Sequence, residues 1–366
     1  MPDVLEYKCP SCGAPLVFDS DSQYMRCGHC DSRFETAVLQ EYEKSRFGDA
    51  DCEWESYGRD SGSGDWQAGE WEKLRLAVCP SCGGELIGDA VTIAAECPYC
   101  DNVMILRESV EGRLRPDLVV PFQLDKETAV AALKKFYQRK PLLPRLFKEQ
   151  NHIERVRGVY VPFWLFDCDT SARISYKATR VSSRSDSRYN YTTTRHYHVL
   201  RAGDAGFAQV PVDGSAKMDD ALMEALEPYD YRQSQPFSTT YLSGFLADRY
   251  DVDAAASEKR ANERIRASVR SLFDDTVRSR GYSSYHVDSV NIRLKNGAIR
   301  YALLPVWLLN TKYRGNDYLF AMNGQTGKFV GRLPVAWGKF WGWFFGIFLG
   351  LSGVGAAVAW LAAGGV

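Results

Sequence analysis

The order of apolar and polar residues changes character twice along the chain. Residues 1–115 hold short apolar runs between turn-forming prolines and glycines, whereas residues 116–335 show both helical and strand-like periods. Residues 340–366 contain no charged side chain, and Ser352 is their one polar side chain. The pattern predicts a multidomain protein with two small β modules, a mixed α+β middle domain and one C-terminal transmembrane helix.

Three helices are predicted in the middle domain. Asp125 can cap the first, which stops before Pro141, and Pro228 ends the second, over residues 219–227. The third begins near Asp253. The apolar faces are Val130, Leu133 and Tyr137 on the first helix, and Ile265, Val269, Leu272 and Phe273 on the third.

Strands are predicted where β-branched and aromatic residues are concentrated. They cover residues 159–166, 174–179, 189–200, 299–313 and 318–322. Asn323-Gly324 predicts a hairpin turn from the last strand into residues 328–330. The turn sequence 324–328 contains two glycines and a lysine, but it lacks the spacing of a phosphate loop, so a hairpin is the better interpretation.

The C-terminal apolar run is long enough to cross a bilayer as one helix, assigned to residues 340–363. Trp343 and Trp360 would lie near opposite interfaces, about 26 Å apart at the helical rise. A buried core helix is the alternative, although core helices rarely stay apolar on all sides over this length. The run is too short for a helical hairpin with two crossings.

The charges around the run predict its topology. Lys328, Arg332 and Lys339 precede it, and no Lys or Arg follows. The positive-inside rule therefore places the N-terminal body in the cytoplasm of a single-pass cell-membrane protein. Residues 1–6 have neither the basic region nor the apolar core of a signal peptide, which agrees with this topology.

Three glycines recur every fourth residue within the run, at Gly342, Gly346 and Gly350. This small-xxx-small ridge would let two helices approach closely and self-associate. Glycine is also common in membrane helices without such a role, and that alternative stays open.

Eight of the ten cysteines form two copies of one pattern. Each copy has two Cys-x-x-Cys pairs separated by fourteen residues, which is the spacing of a site with four thiolate ligands for one tetrahedral Zn²⁺. The ligands are Cys9, Cys12, Cys27 and Cys30 in the first copy, and Cys79, Cys82, Cys97 and Cys100 in the second. The pattern predicts two zinc ribbons, one over residues 1–40 and one over residues 77–115.

Four thiolates fill a tetrahedral shell, so the two Zn²⁺ ions are predicted to be structural and not catalytic. Disulfide-bonded modules are the alternative, but nothing else in the chain indicates an oxidising compartment. Cys168 lies between Asp167 and Asp169, whose charges should disfavour a reactive thiolate, and Cys52 lies in an equally acidic segment.

Composition is ordinary for a globular protein, with 45% hydrophobic and 25% charged residues and a net charge of -1. Residues 41–76 stand out, because ten acidic residues face three basic ones between positions 41 and 72. We interpret this segment as an acidic linker. Its Trp54, Trp66 and Trp71 are expected to pack on the protein's own surface, with a partner-binding motif as the alternative.

Charge argues against nucleic acid as the partner. Each predicted ribbon carries six acidic and three basic residues, and a tetrathiolate zinc centre adds a formal charge of -2. Nucleic-acid affinity depends largely on Lys and Arg at phosphates, and neither ribbon has that basic footprint. Protein recognition is favoured instead.

Signatures of catalysis are scarce. The chain has no His-Glu-x-x-His and no Gly-x-Ser-x-Gly. His196 and His198 would share one face of a strand, but they lack an evident third ligand, so a structural or surface role is favoured. An enzyme within residues 116–335 stays an alternative, which a pocket with converging carboxylates and histidines would support.

These motifs together resemble a family of bacterial membrane proteins with tandem zinc ribbons of the transcription-factor-IIB type. The ribbons are also similar to those of primosomal replication-restart helicases, although the chain has no ATP-binding motif. The resemblance rests on the two Cys-Pro-Ser-Cys-Gly units, on residues 158–167, 218–220, 228–230, 303–310 and 323–328, and on the terminal run.

The resemblance implies a non-enzymatic, membrane-held adaptor linked to membrane-scaffold proteins of the stomatin and flotillin type and to envelope maintenance. We therefore expect an anchored protein whose ribbons recruit protein partners at the cytoplasmic face of the membrane. A membrane-tethered nucleic-acid-binding protein is the alternative hypothesis.

Overall fold

The computed structural model describes residues 7–45, 49–55, 57, 65–66, 70, 72, 74–89, 96–107, 114–138, 140–144, 156–313, 316–331 and 333–363. The helices are α1 (Thr36–Ser45), α2 (Lys126–Gln138), α3 (Asp220–Leu226), α4 (Ala254–Arg278) and α5 (Trp337–Ala363). The strands are β1 (Leu16–Asp19), β2 (Tyr24–Cys27), β3 (Arg33–Phe34), β4 (Leu74–Val78), β5 (Glu85–Asp89), β6 (Ile105–Arg107), β7 (Leu118–Val119), β8 (Arg157–Ser185), β9 (Asn190–Asp213), β10 (Gln235–Pro236), β11 (Leu246–Asp248), β12 (Ser284–Tyr313), β13 (Asn316–Asn323) and β14 (Phe329–Gly331).

The chain forms two compact units, each assembled from three segments. The first unit comprises Met1–Tyr57, Trp164–Val212 and Ala254–Arg300, and the second comprises Gly58–Phe163, Asp213–Asp253 and Tyr301–Val366. Strands β8 and β12 are 29 and 30 residues long, and both contribute residues to each unit. The units are thus discontinuous in sequence, whereas the domains expected from the sequence follow one another along the chain.

In the first unit, the N-terminal segment folds into an antiparallel sheet of order β1-β2-β3, followed by α1. The β1–β2 register pairs Leu16 with Cys27 and Asp19 with Tyr24. This module has a small core of its own. Its buried residues are Cys9, Leu16, Cys27 and Leu39, with Tyr7, Ala14, Met25 and Phe34 packed against them.

The largest helix of the first unit, α4, packs through an i+4 ridge. Its residues Ala261, Ile265, Val269 and Val277 are buried, and Phe273 is partly buried against the same core. Their partners are Cys52, Cys168, Ala172, Ile292 and Leu294 around the middle of the helix, and Ile174, Tyr176, Ala178 and Val199 near its end. The sequence-based assignment of Leu272 to this face is wrong, because Leu272 is 54% exposed and lies off the i+4 row.

Part of the predicted acidic linker is built into the first unit. Ala50 and Trp54 form parallel bridges with Arg293 and Gly297 of β12. The Trp54 ring meets Phe166 edge-on at 4.9 Å, and its Nε1 donates to Asn262 Oδ1 at 3.1 Å. The expectation that Trp54 packs on the protein's own surface is confirmed, and this stretch is an edge segment rather than a free connector.

The predicted packing of the other linker tryptophans has a mixed outcome. Trp66, in the second unit, contacts the Phe237 ring at 5.9 Å, as expected. Trp71 lies outside the described residues. Glu70 of the same segment forms an ion pair with Arg115 at 2.8 Å, so acidic residues of this stretch also have fixed partners.

The second unit is built on a large sheet. Its strand order is β10-β7-β12-β8-β11-β5-β4-β6, and β13 pairs with β12 and with β14. Strands β4, β5 and β6 flank the second cysteine group, and β4 pairs antiparallel with both β5 and β6. Strand β5 also pairs with β11. The second module is therefore not the free-standing ribbon that the sequence predicts, because β5 is joined to the larger sheet and Leu76, Ala77 and Leu86 are buried. The predicted linker boundary at residue 76 falls inside β4.

Helix α2 covers the core of the second unit. Asp125 Oδ1 accepts from Thr128 N at 2.8 Å, as the predicted cap requires, and the helix ends at Gln138 before Pro141. The helix packs against β12 and β13. Its buried residues are Ala129, Leu133 and Tyr137, and those of the strands are Trp307, Leu309, Phe320 and Met322. Helix α3, predicted over residues 219–227, has Asp219 as its N-cap.

Strands β13 and β14 form the predicted hairpin. Gly327 N donates to Asn323 O at 2.9 Å, and the Asn323 side chain accepts from Gln325 N and Thr326 N. Lys328 Nζ donates to the carbonyl of Glu227. The glycine-containing segment is therefore a turn held by its own asparagine.

Helix α5 begins three residues before the predicted start of the apolar run and is long and apolar enough to cross a membrane. None of its apolar window is buried in the protein. A Cβ atom on Gly342, Gly346 or Gly350 would meet nothing within 4 Å, so this ridge is open on the helix surface. Self-association through it stays a prediction.

Candidate metal centres

The two cysteine groups are brought together by the same pair of turns. In the first group, Gly13 N donates to Cys9 O at 2.8 Å, and Asp31 N donates to Cys27 O at 3.1 Å. In the second group, the equivalent bonds run from Gly83 to Cys79 at 2.8 Å and from Asp101 to Cys97 at 2.9 Å. Each Cys-x-x-Cys pair thus lies on a turn that the fifth residue closes.

These turns explain which residue follows each pair. Gly13 and Gly83 have φ of 78° and 69°, and Asp31 and Asp101 have φ of 55° and 59°. Gly adopts this left-handed region without a Cβ clash, and Asp is one of the few other residues that tolerate it. An Asp follows the last cysteine of both copies, and this repetition is the sequence signal from which the turn-closing position could be predicted.

The sulfur atoms of each group lie at distances that suit a tetrahedral ion. The Sγ atoms are 3.6 Å apart for Cys9 and Cys30 and 3.4 Å apart for Cys12 and Cys27. In the second group the corresponding Sγ–Sγ distances are 3.5 Å and 3.7 Å, from Cys79 to Cys100 and from Cys82 to Cys97. A tetrahedron with Zn–S bonds of 2.3 Å has an edge of about 3.8 Å, so both donor sets fit such an ion closely.

None of the ten cysteines forms a disulfide bond. The sulfur separations are far longer than a disulfide bond of about 2.05 Å, so the disulfide alternative has no support in this geometry. Among the described residues, these two groups of four are the clusters whose ligand atoms all lie within 4.8 Å of one another. Each group could hold one metal ion.

Each group has an inner and an outer side. Cys9, Cys27, Cys79 and Cys97 are buried, whereas Cys12 and Cys30 are exposed and Cys82 and Cys100 are intermediate. One ligand of each Cys-x-x-Cys pair therefore anchors the site in the module's interior. The other ligand closes the site at the surface, where an ion could enter.

Polar neighbours favour the thiolate at the fourth ligand of each group. The Ser32 hydroxyl lies 3.1 Å from Cys30 Sγ, and hydrogen bonds from Ser32 lower the pKa of Cys30 to about 6. Partial burial raises the pKa of Cys100, but hydrogen bonds from Asn102 outweigh it and lower the pKa to about 7; Asn102 Nδ2 is 3.4 Å from Cys100 Sγ. Both partners stand two residues after the ligand, and such outer contacts orient and tune metal ligands.

The second group is tied to its unit by two ion pairs. Arg157 Nη2 meets Glu96 Oε2 at 2.7 Å, beside Cys97, and its Nη1 donates to the Glu96 carbonyl. Arg249 forms an ion pair with Glu85 on β5. Both arginine side chains are less than a quarter exposed, so these contacts fix the module on the sheet more firmly than surface pairs would.

Other candidates from the sequence do not join a site. The His198 side chain is buried, with Nε2 3.6 Å from Asp288 Oδ2, and burial lowers its pKa; His196 is exposed. Burial is also the main reason for the raised pKa of Cys52 and of Cys168, the latter to about 12, with the neighbouring acids adding to it. In the described residues, neither the histidines nor these thiols belong to a metal-binding group.

Comparison with known proteins gives one relative over nearly the whole chain. It is a Bacillus subtilis (strain 168) protein named uncharacterized protein YdjG, which is 34% identical over 337 residues, covering 92% of each chain. No family model matches the sequence, and no solved structure matches it.

Proposed function

The chain belongs to the family of the Bacillus subtilis protein YdjG, and from this premise we propose that it is a non-enzymatic, membrane-anchored adaptor. In this proposal two structural zinc ribbons, of the type found in transcription factor IIB, recruit a protein partner at the cytoplasmic face of the membrane. The observation that carries the proposal is an exposed apolar surface on both cysteine modules.

Zinc is the ion that best suits the donor sets. Four thiolates with sulfur separations between 3.4 and 3.7 Å match structural zinc sites. With all four positions taken by sulfur, the ion would hold the turns in place and leave no coordination position for a substrate. The binding energy of such an ion stabilises the folded module directly.

The apolar surface lies on the strands of the two modules. Val17, Phe18 and Tyr24 in the first module, and Val103, Ile105 and Leu106 in the second, are exposed by 38% to 68%. These exposed apolar side chains, called the patches below, lie on both faces of their strands, and a partner that covers them would remove apolar surface from water. A protein partner with an apolar surface fits both patches better than an anionic polymer does, given the acidic composition of the modules.

The membrane side of the proposal rests on α5 and on the thiols. Lys328 lies before α5 and Lys339 lies in its first turn, ahead of the uncharged residues 340–363, which favours an N-terminal body on the cytoplasmic side. Reduced thiolates are stable in that compartment. A partner on the same membrane, such as the stomatin- and flotillin-type scaffolds that the family resemblance implies, would meet the modules at high local concentration.

The test uses the full-length chain and polar substitutions in the patches. Tagged wild type, V17S/F18S and I105S/L106S are purified from native membranes, and captured proteins are quantified by mass spectrometry. Loss of two apolar side chains that the partner would cover should weaken its binding by about tenfold or more. The matched control is L272S/V287S, which removes two exposed apolar side chains outside the modules.

Metal content of each variant checks that the modules remain folded. The proposal predicts that one or both module variants lose a partner that the control retains. Identical partner sets in wild type and in both module variants would remove the patches from the function.

A further inference from the structure

A basic, aromatic arm projects from the first unit. It comprises residues 180–196, the end of β8 and the start of β9, and every residue in it is exposed. Asp186 N donates to Tyr189 O at 2.9 Å, and Asp186 Oδ1 accepts from the backbone of Arg188 and Tyr189, so the arm ends in a tight turn. An exposed two-stranded ribbon is marginally stable alone, and its sequence is therefore free to serve a surface role.

Arginine and tyrosine share one face of the arm. Arg180 lies over the Tyr197 ring at 5.8 Å, which places these two residues on the same face. Because side chains alternate along a strand, Arg184 follows Arg180 on that face, and Tyr191 and Arg195 precede Tyr197 on it. The opposite face carries Ser183, Thr192, Thr194 and His196, which are polar but not permanently charged.

The positive charge of the arm is not neutralised within it. Four arginines and one aspartate give residues 180–196 a net charge of +3, in a chain whose net charge is -1. The Asp186 carboxylate is taken up by the turn, and backbone hydrogen bonds lower its pKa. In the part of the chain that the structure describes, Arg184, Arg188 and Arg195 form no ion pair.

We propose that this arm binds the headgroups of anionic phospholipids. The arginines supply charge complementarity, since each basic residue near an anionic leaflet adds favourable attraction. Tyr189 and Tyr191, 64% and 52% exposed, supply the amphipathic rings that partition into the membrane interface. The proposal rests on the proposed function in one respect, that α5 holds the chain on a bilayer, which makes lipid phosphate the most concentrated polyanion available to the arm.

The experiment uses the full chain in lipid nanodiscs and measures amide hydrogen exchange of residues 180–196. One set of discs contains phosphatidylcholine alone, and the other contains phosphatidylcholine and phosphatidylglycerol at roughly 3:1. At low salt, exchange in the arm should be about tenfold slower in the anionic discs, and high salt should abolish the difference. R184Q/R195Q should lose the effect, whereas R232Q/R278Q, with the same charge change at exposed sites elsewhere, should keep it.

Two results would overturn the proposal. One is equal exchange of the arm in both kinds of disc. The other is protection by a DNA or RNA oligonucleotide added to phosphatidylcholine discs, without protection by phosphatidylglycerol, which would assign the arm to nucleic acid. Partner capture by the R184Q/R195Q variant distinguishes a failure of this proposal from a failure of the adaptor function. The arm variant should retain the partners that the module patches recruit.

Discussion

At the scale of single residues, Asp248 is the most unusual titratable group of the second unit. It lies on β11, is 2% exposed, and accepts a hydrogen bond from Ser215 Oγ at 2.6 Å. Tyr99, between Cys97 and Cys100, lies next to it, and its hydroxyl is buried. Burial raises the pKa of Asp248 to about 7, against the opposing hydrogen bonds. The carboxyl is therefore neutral in the folded protein at mildly acidic pH.

We predict that this group makes the protein less stable as pH rises from about 4 to about 7. In the unfolded chain Asp248 ionises near its ordinary value of 3.8, so between the two pKa values the folded state binds the extra proton. The loss amounts to an order of 4 kcal/mol at most, because each pKa unit is worth about 1.4 kcal/mol. Denaturant midpoints in detergent at about pH 5 and about pH 8 measure the part of this loss that falls between pH 5 and the folded pKa, roughly 3 kcal/mol.

Two variants decide whether Asp248 is the cause. D248N cannot ionise, so its midpoint should change much less over this pH range than that of the wild type. D125N is the control, since the pKa of Asp125 is lowered by its hydrogen bonds with Thr128 and its titration is complete below this window. Equal slopes for the wild type and D248N would refute the assignment.

At the scale of elements, the sequence predicts the helices and the two cysteine groups well and strand lengths poorly. The helices follow from caps and prolines near their ends, and the cysteine groups from the repeated spacing. The predicted strands 159–166 and 174–179 are one strand in the structure, because the acids between them are satisfied by neighbours that the sequence does not reveal. Asp167 accepts from Arg300 at 2.6 Å and from Gln209 N at 2.5 Å.

The sequence also does not reveal the close contact between the linker segment and Gly297 of β12. A Cβ atom on Gly297 would lie 2.5 Å from Trp54 and 2.7 Å from Cys52, so only glycine lets this segment approach β12. The acidic composition predicts a linker because composition reflects the average preference of the segment for water. It does not show that a few apolar side chains of the segment pack against β12. Long-range pairing of this kind needs the fold to be known.

Metal counting tests the two modules as separate elements. Elemental analysis of the reduced full-length chain should find two zinc ions per chain, one for each cysteine group. C27S and C97S should each retain one, because a buried serine cannot supply the thiolate and the incomplete module loses its folding energy. C168S is the control, since Cys168 is buried but belongs to neither group. Loss of both ions in either single variant would contradict independent modules.

At the scale of the whole molecule, the sequence suggests consecutive domains, whereas each compact unit combines three distant segments. Amino-acid composition can locate a domain boundary only where the chain passes from one domain to the next a single time. Here the two longest strands, β8 and β12, contribute to both units, so no stretch of low complexity marks the transition. Discontinuous units of this kind are set by strand pairing, which single-sequence patterns do not contain.

Helix α5 is the element that should attach the whole molecule to the bilayer. Its start is held by bonds within the second unit, from Ala336 N to Leu142 O at 2.8 Å and from Lys339 Nζ to Leu143 O at 2.9 Å. Beyond these contacts, none of the apolar window from Trp337 to Trp360 is buried in the protein. A helix that is apolar on all sides and unburied is unfavourable in water, so a bilayer is its expected surroundings.

We predict that three lysines in this helix release the protein from membranes. L349K/L351K/V354K places charges near the centre of the span, where each costs about 3 kcal/mol on insertion scales. The wild type should remain in the membrane pellet after alkaline carbonate extraction, and the lysine variant should appear in the supernatant. L349A/L351A/V354A keeps the helix apolar and should stay in the pellet. If the lysine variant stays there as well, another part of the chain holds the protein on the membrane, and the anchoring role of α5 fails.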